Sequence, residues 1–301
     1  MQWWLGTGES ATGNVNNSGI DSNSRAMRKK AFTLIEVLLV IAIISLLIGI
    51  LLPALAKARQ QGEGIVCMSN LRQMFIAAQT YAQTNNSYYP IAQYKQKRDS
   101  VKFEYCWDFT TVTDLATGEK KIVPGLLWQG RTIEKIQQCP SFSGGSNTAG
   151  DPYSGYNYNT SYIGHGGGES VSLNYTGEIK TIDGAPAWYE IVMPVKIFRV
   201  RRPAQCALFG DGEYSGGANK YMRAPWPWDG DIDNSLKAAG TQGYRHGGKT
   251  NVAWCDGHVD SQELLYTETV AEAKSEIDQY NDKAGVKIGF LSADNSTYDL
   301  E

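Results

Sequence analysis

Two histidines, His246 and His258, and two aspartates, Asp211 and Asp256, are the residues best suited to chemistry in this chain. They occur in "CALFGDGEY" and "RHGGKTNVAWCDGHVD". Imidazole and carboxylate together suit a transition metal. His246 is followed by nine residues and then Asp256-Gly257, with His258 next. Asn251–Cys255 should be a strand, Asp256-Gly257 a turn and 258–260 the return strand. On that reading His246, Asp256 and His258 converge, with Asp211 as a fourth donor. The alternative is that His246 and Asp256 tie the turn backbone and each other. A second acidic site is "DGDIDN": Asp229, Asp231 and Asp233 have the spacing that opens an EF-hand loop. Asn234 and Gly240 stand where that loop needs Gly and Glu, so it is not an EF-hand. A structural Ca2+ on those three aspartates is kept as an expectation beside a solvated acidic turn.

Other chemistry is poorly supported. "HGGG" at 165–168 resembles an oxyanion-hole loop, yet the chain has no Gly-x-Ser-x-Gly to serve it. A Walker A sequence, His-Glu-x-x-His and a dinucleotide fingerprint are also missing. Five cysteines (Cys67, Cys106, Cys139, Cys206 and Cys255) have no Cys-x-x-Cys spacing, which argues against a zinc knuckle. If they lie outside the cytoplasm they allow one or two disulfides and leave a thiol over. The net charge of −3 implies no general affinity for nucleic acid.

The elements that must position these residues fall in two parts. From Phe32 to Leu52 the chain is apolar for long enough to span a bilayer, with Arg28, Lys29 and Lys30 before it. That charge favours a cytoplasmic N-terminus. Residues 1–26 are rich in Gly, Ser, Asn and Thr, and read as a disordered leader or as a misassigned start ahead of Met27. Leu71, Met74, Phe75, Ala78 and Ala82 recur at helical spacing, so the helix continues over 56–86. Gly62 and Gly64 predict a bend or a melted turn. "TNNSYYP" stops the helix. From residue 87 onward "KIVPGLLW", "EIVMPVKIFRV", "CALFG" and "TNVAWCDGHVDS" read as short strands between polar loops. "ETVAEAKSEIDQYNDKA" reads as a surface helix.

Glu36 is the anomaly in the apolar run, since a carboxylate in lipid costs about 2.5–3.5 kcal/mol. An ordinary signal anchor does not want it. A cleaved secretory signal, which the "ALA" at 54–56 would fit, does not want it either. "KKAFTLIEVLLVIAIISLLIGILLPAL" resembles the N-terminal segment of type IV prepilins and type II secretion pseudopilins. The resemblance implies that prepilin peptidase cuts between Ala31 and Phe32 and methylates the new amine of Phe32. Glu36 and Pro53 then fall where that family has Glu and Pro. The family usually has Gly before the cut, where this chain has Ala31. "RHGGKTNVAWCDGHVD" resembles a C-terminal motif of large pilin-like proteins of planctomycete-type bacteria. "QQCPS", "YNYNTSY" and "CALFGDG" also resemble that group.

The expected fold is α+β and pilin-like. A long N-terminal α-helix, transmembrane in its first half, carries a large antiparallel β-rich head. The expected divisions are a leader over 1–31, an assembly helix over 32–55, its amphipathic continuation over 56–86, and a head over 87–301. The expected function is a non-enzymatic structural subunit of a pilus or secretion pseudopilus. Its partners would be prepilin peptidase, other pilin subunits and inner-membrane lipid. The head would lie in the periplasm before assembly and outside the cytoplasm in a filament after it. In a bundle, Glu36 would pair with the amine of a neighbour's Phe32, and Pro53 would kink the helix. The alternative is a membrane-tethered module that binds glycan, through aromatics such as those of "APWPWDG", or metal. A metal-dependent hydrolase on His246, Asp256 and His258 is the remaining enzymatic reading.

Overall fold

The computed structural model describes residues 33–129, 134–148, 150–166, 171–173, 179–181, 193–228, 237–283 and 285–301. The leader, Ala31, Phe32, Asp229, Asp231 and Asp233 lie outside those residues, and with them the expected calcium loop. The chain divides into two units, Met1–Leu52 and Pro53–Glu301.

In the first unit the described chain is the start of α1, which runs over Leu34–Thr84. Its large apolar side chains from Leu34 to Leu52 are all exposed, with relative exposures of 47–77%. Nineteen residues of helix span about 28 Å, close to the ~30 Å of a bilayer's hydrocarbon core. This part of α1 is long and apolar enough to cross a membrane.

The helical assignment is unbroken through Pro53, Gly62 and Gly64. The expected melting at the glycines does not occur. Gly64 is buried, and an added Cβ there would lie 3.6 Å from Nδ1 of His246. It therefore acts as a contact point where the His246 side chain packs on the helix.

In the second unit, Cys67, Leu71, Met74 and Ala78 form the buried stripe of α1, recurring every three or four residues. This stripe joins a core with Trp107, Trp128, Tyr158, Leu208 and Phe209. The helix ends at Thr84, where the sequence places its stop.

An antiparallel meander follows: β1 (Gln93–Arg98), β2 (Val101–Cys106), β3 (Phe109–Asp114) and β4 (Lys120–Pro124). Of "KIVPGLLW", the first part is β4 and Leu126–Trp128 is a 3-10 turn. Later strands are β5 (Asn157–Asn159), β6 (Val171–Leu173), β7 (Ile179–Thr181), β8 (Ala207–Gly210), β9 (Tyr221–Met222), β10 (Gln242–Gly243), β11 (Thr250–Trp254) and β12 (Val259–Gln262). Helix α2 covers Ala271–Lys283, as its sequence predicts, and β13 covers Ile288–Gly289. The described part of "EIVMPVKIFRV" contains no strand longer than an isolated bridge at Lys196. Ile197–Arg199 is a 3-10 turn.

The central sheet has the order β12-β11-β8-β5-β9. All its pairings are antiparallel except β5 with β9. Successive side chains of β11 alternate between two cores. Ala253 joins the core built with α1, while Val252 and Trp254 join a second core with Ile277 of α2, Phe290 and Tyr298. The head is thus an α+β structure, with one face of its sheet packed on α1 and the other on α2 and the C-terminal segment.

Candidate functional site

Within the described part of the membrane-length helix, up to Leu52, Glu36 is the ionisable residue. Its Oε2 accepts hydrogen bonds from the backbone N–H and the hydroxyl of Thr33, both at 2.8 Å. The Glu36 N–H in turn donates to Thr33 Oγ1 at 3.4 Å. Thr33-x-x-Glu36 is therefore a capping box. It satisfies helix N–H groups that a bilayer would leave without partners. So in a lone helix Glu36 already has a local partner, a role its place in the apolar run does not suggest.

The histidines and aspartates singled out by type separate into two places. His246 sits in the turn before β11, and Asp256 in the turn after it. Five extended residues between them, at about 3.3 Å each, hold the two turns apart. The expected convergence of His246 with Asp256 and His258 is thereby corrected. Asp256 accepts from the backbone N–H of His258 at 2.9 Å and meets its Nδ1 at 2.6 Å. The His258 ring stacks on Trp254. Burial pushes the Asp256 carboxyl up, but its bonds to His258 together more than offset this and hold it below the usual range. This pair is half-exposed and ties its own turn.

Both ends of the nine-residue spacing lean on α1. His246 packs at Gly64, and Gly257 faces Phe75 and Arg72. Gly257 has φ +91°, and an added Cβ would fall 2.3 Å from Phe75 Cε1. The spacing from His246 to Gly257 is thus the length of one strand whose two turns dock on one helix.

Asp211 and His246 do meet, with Nε2 of His246 3.2 Å from Asp211 Oδ2. Two cysteines complete the group. Cys67 of α1 donates its S–H to Asp211 Oδ1 at 3.1 Å, and Cys139 Sγ is 3.7 Å from His246 Nε2. One donor atom from each of Cys67, Cys139, Asp211 and His246 lies within 4.8 Å of all the others. Each comes from a different part of the chain: the helix, the turn after residue 138, the end of β8, and the turn before β11.

Neighbouring groups fix the donors in place. The Asn251 backbone N–H donates to Asp211 Oδ2 at 2.7 Å. The Arg245 guanidinium donates to Cys139 Sγ at 3.4 Å and to Asp211 Oδ1 at 3.4 Å. Its other arm pairs with Glu213 at 2.7 Å. These contacts set the charges. The Cys67 hydrogen bond holds the Cys139 thiol down to about 5, against burial and with help from Arg245. Burial pushes the Cys67 thiol well up. Burial also raises the Asp211 carboxyl, but Arg245, His246 and the Asn251 N–H together bring it below the usual range. Burial pulls the His246 imidazole down, and Asp211 and Cys139 reverse this to about 9.

Cys67 and Cys139 were not singled out in the sequence. Cys67 falls on the buried stripe of α1, where a small apolar residue would serve as well. "QQCPS" carries no metal-type spacing. The signal available was joint: two cysteines with the Asp of "FGDG" and the His of "RHGG". The other close thiol pair, Cys206 and Cys255, lies just beyond the paired ends of β8 and β11, where the Cys255 N–H donates to the Cys206 carbonyl at 3.0 Å, and Cys206 donates to the Tyr298 carbonyl at 3.4 Å. It joins no such group among the described residues.

A family model described as "Prokaryotic N-terminal methylation motif" matches residues 26–52. The chain carries a prepilin-type N-terminus. The match covers the basic residues, Ala31, Phe32 and Glu36, and stops one residue short of Pro53. It marks this segment as similar to those that prepilin peptidase cuts and methylates, and the helix that carries it is long and apolar enough to cross a membrane. No curated protein and no solved structure matches the chain. The prepilin-type reading therefore rests on the N-terminal segment, and the head is understood from its own residues.

Proposed function

We propose that this chain is a structural subunit of a type IV pilus or type II secretion pseudopilus. The observation that carries the reading is the methylation motif at 26–52, continuous with a helix whose apolar side chains from Leu34 to Leu52 are all exposed. Prepilin peptidase cuts between Ala31 and Phe32 and methylates Phe32. The helix rests in the inner membrane with its N-terminus cytoplasmic and the head periplasmic. It then leaves lipid for a bundle of like helices. In that bundle Glu36 exchanges part of its capping contact for the cationic amine of a neighbour's Phe32. A buried pair of this kind fixes register more than it adds stability. Pro53 lacks the N–H that would bond one turn back, so it gives the helix a weak point just past the apolar run.

The test is assembly of a Glu36→Ala variant. Membrane insertion should be unchanged, because a charge is removed from the lipid-facing helix. Crosslinks between subunits, or sheared filaments, should fall at least tenfold. Unchanged crosslinking would show that Glu36 serves only its own helix cap.

A further inference from the structure

The buried contact between α1 and the central sheet carries a group of donors that the proposed assembly does not use. Cys67, Cys139, Asp211 and His246 bring two sulfurs, a carboxylate oxygen and an imidazole nitrogen together in the buried interior. A tetrahedral zinc site has bonds of about 2.0–2.3 Å, which sets its ligand-to-ligand edges at about 3.3–3.8 Å. With Asp211 Oδ2 as the ligand, two edges are measured here: 3.2 Å to His246 Nε2, and 3.7 Å from His246 Nε2 to Cys139 Sγ; Cys67 Sγ lies 3.1 Å from the other carboxylate oxygen, Oδ1. All four donors lie within 4.8 Å of one another, so small side-chain rotations close the remaining edges.

We propose that Cys67, Cys139, Asp211 and His246 form a structural zinc site that fastens α1 to the sheet. Two thiolates and an imidazole are soft and intermediate donors, which select zinc over calcium or magnesium. Four protein ligands leave no open position, so the site is structural rather than hydrolytic. Two thiolates and one carboxylate carry three negative charges, of which a divalent ion cancels two, and the Arg245 guanidinium, shared with Glu213, faces the remaining one. The surrounding contacts are of the kind that orient ligands: Asn251 N–H on Asp211, and Arg245 on both Asp211 and Cys139. Nδ1 of His246 is buried against Gly64, which leaves Nε2 as the nitrogen facing the other donors. A disulfide between Cys67 and Cys139 is the competing use of the two sulfurs. It would leave the approach of His246 and Asp211 to both of them without a purpose.

The site is tested on the full chain in detergent, kept reduced, stripped with a chelator and titrated with Zn2+ or Co2+. The expected result is one zinc per chain by elemental analysis. With Co2+ it is the intense ligand-field and thiolate charge-transfer absorption of a tetrahedral site. Cys67→Ser and His246→Ala should each lower metal affinity at least tenfold, whereas Cys206→Ser should leave it unchanged. Should the ligand variants not fold, the cobalt spectrum of the unaltered chain decides alone. Failure of the reduced chain to retain zinc, an octahedral cobalt spectrum without charge transfer, or a Cys67–Cys139 disulfide in the chain as isolated would each overturn the assignment.

Discussion

At the residue scale, the most demanding side chain in the head is Lys220. Its ammonium is buried between Asp108 and Asp151, at 2.8 and 2.7 Å, and the carbonyl of the same residue accepts the Trp107 indole N–H. Burial pulls the ammonium down, yet the two carboxylates more than offset this and keep it charged. Lys220→Met should therefore cost about 3–5 kcal/mol, because it leaves two buried carboxylates without a cation. Chemical unfolding of the detergent-solubilised chain measures this, and a loss below 1 kcal/mol would show that water reaches the carboxylates. Little of this was legible beforehand. A lysine followed by Tyr and Met gives no sign of burial, and its partners lie 112 residues away in the case of Asp108 and 69 in that of Asp151. His246 and Asp211 were legible by chemical type. Their actual neighbours, Cys67 and Cys139, were not, because convergence of four segments is set by tertiary packing.

At the scale of elements, α1 and the β11–β12 hairpin were the clearest features. A long apolar run, a stripe at helical spacing and a stop at "TNNSYYP" define the helix, and Asp-Gly between apolar runs defines the hairpin. The meander was mostly missed for a physical reason. "QYKQKR" and "FTTVTD" have no apolar alternation. They are held by cross-strand pairs such as Tyr94 on Tyr105, stacked at 4.6 Å, and Lys95 with Glu104 at 3.5 Å. Such pairs are invisible in one strand read alone. The melted turn expected at Gly62 and Gly64 does not form because helix propensity is a weak prior, and packing of the β11 turns on α1 supplies what glycine loses.

That docking is testable at Gly257. Gly257→Ala should cost about 1–2 kcal/mol for its positive φ alone, plus the clash with Phe75. Gly248→Ala has a similar φ of +86° and open space around it, so it carries the backbone cost only. The excess at Gly257 should shrink in a Phe75→Leu background, because contacting residues are not additive. An equal loss at both glycines would mean that the turn does not rest on the helix.

At the scale of the whole molecule, the chain joins a membrane-length helix to a head with two cores and many polar loops. The helix is the part proposed to meet lipid and then other subunits, and its large apolar side chains from Leu34 to Leu52 are exposed. The head holds its own helix segment through the buried stripe, the two turns flanking β11 and the proposed metal site. Assembly begins with one proposed cut, between Ala31 and Phe32. N-terminal mass spectrometry of the chain purified from cells with an active prepilin peptidase tests it directly. The expected product is a chain that begins at Phe32 with a single methyl group on its amine, and an uncut chain when Ala31 is replaced by Asp. An intact leader, or a mature end after Ala56, would contradict it.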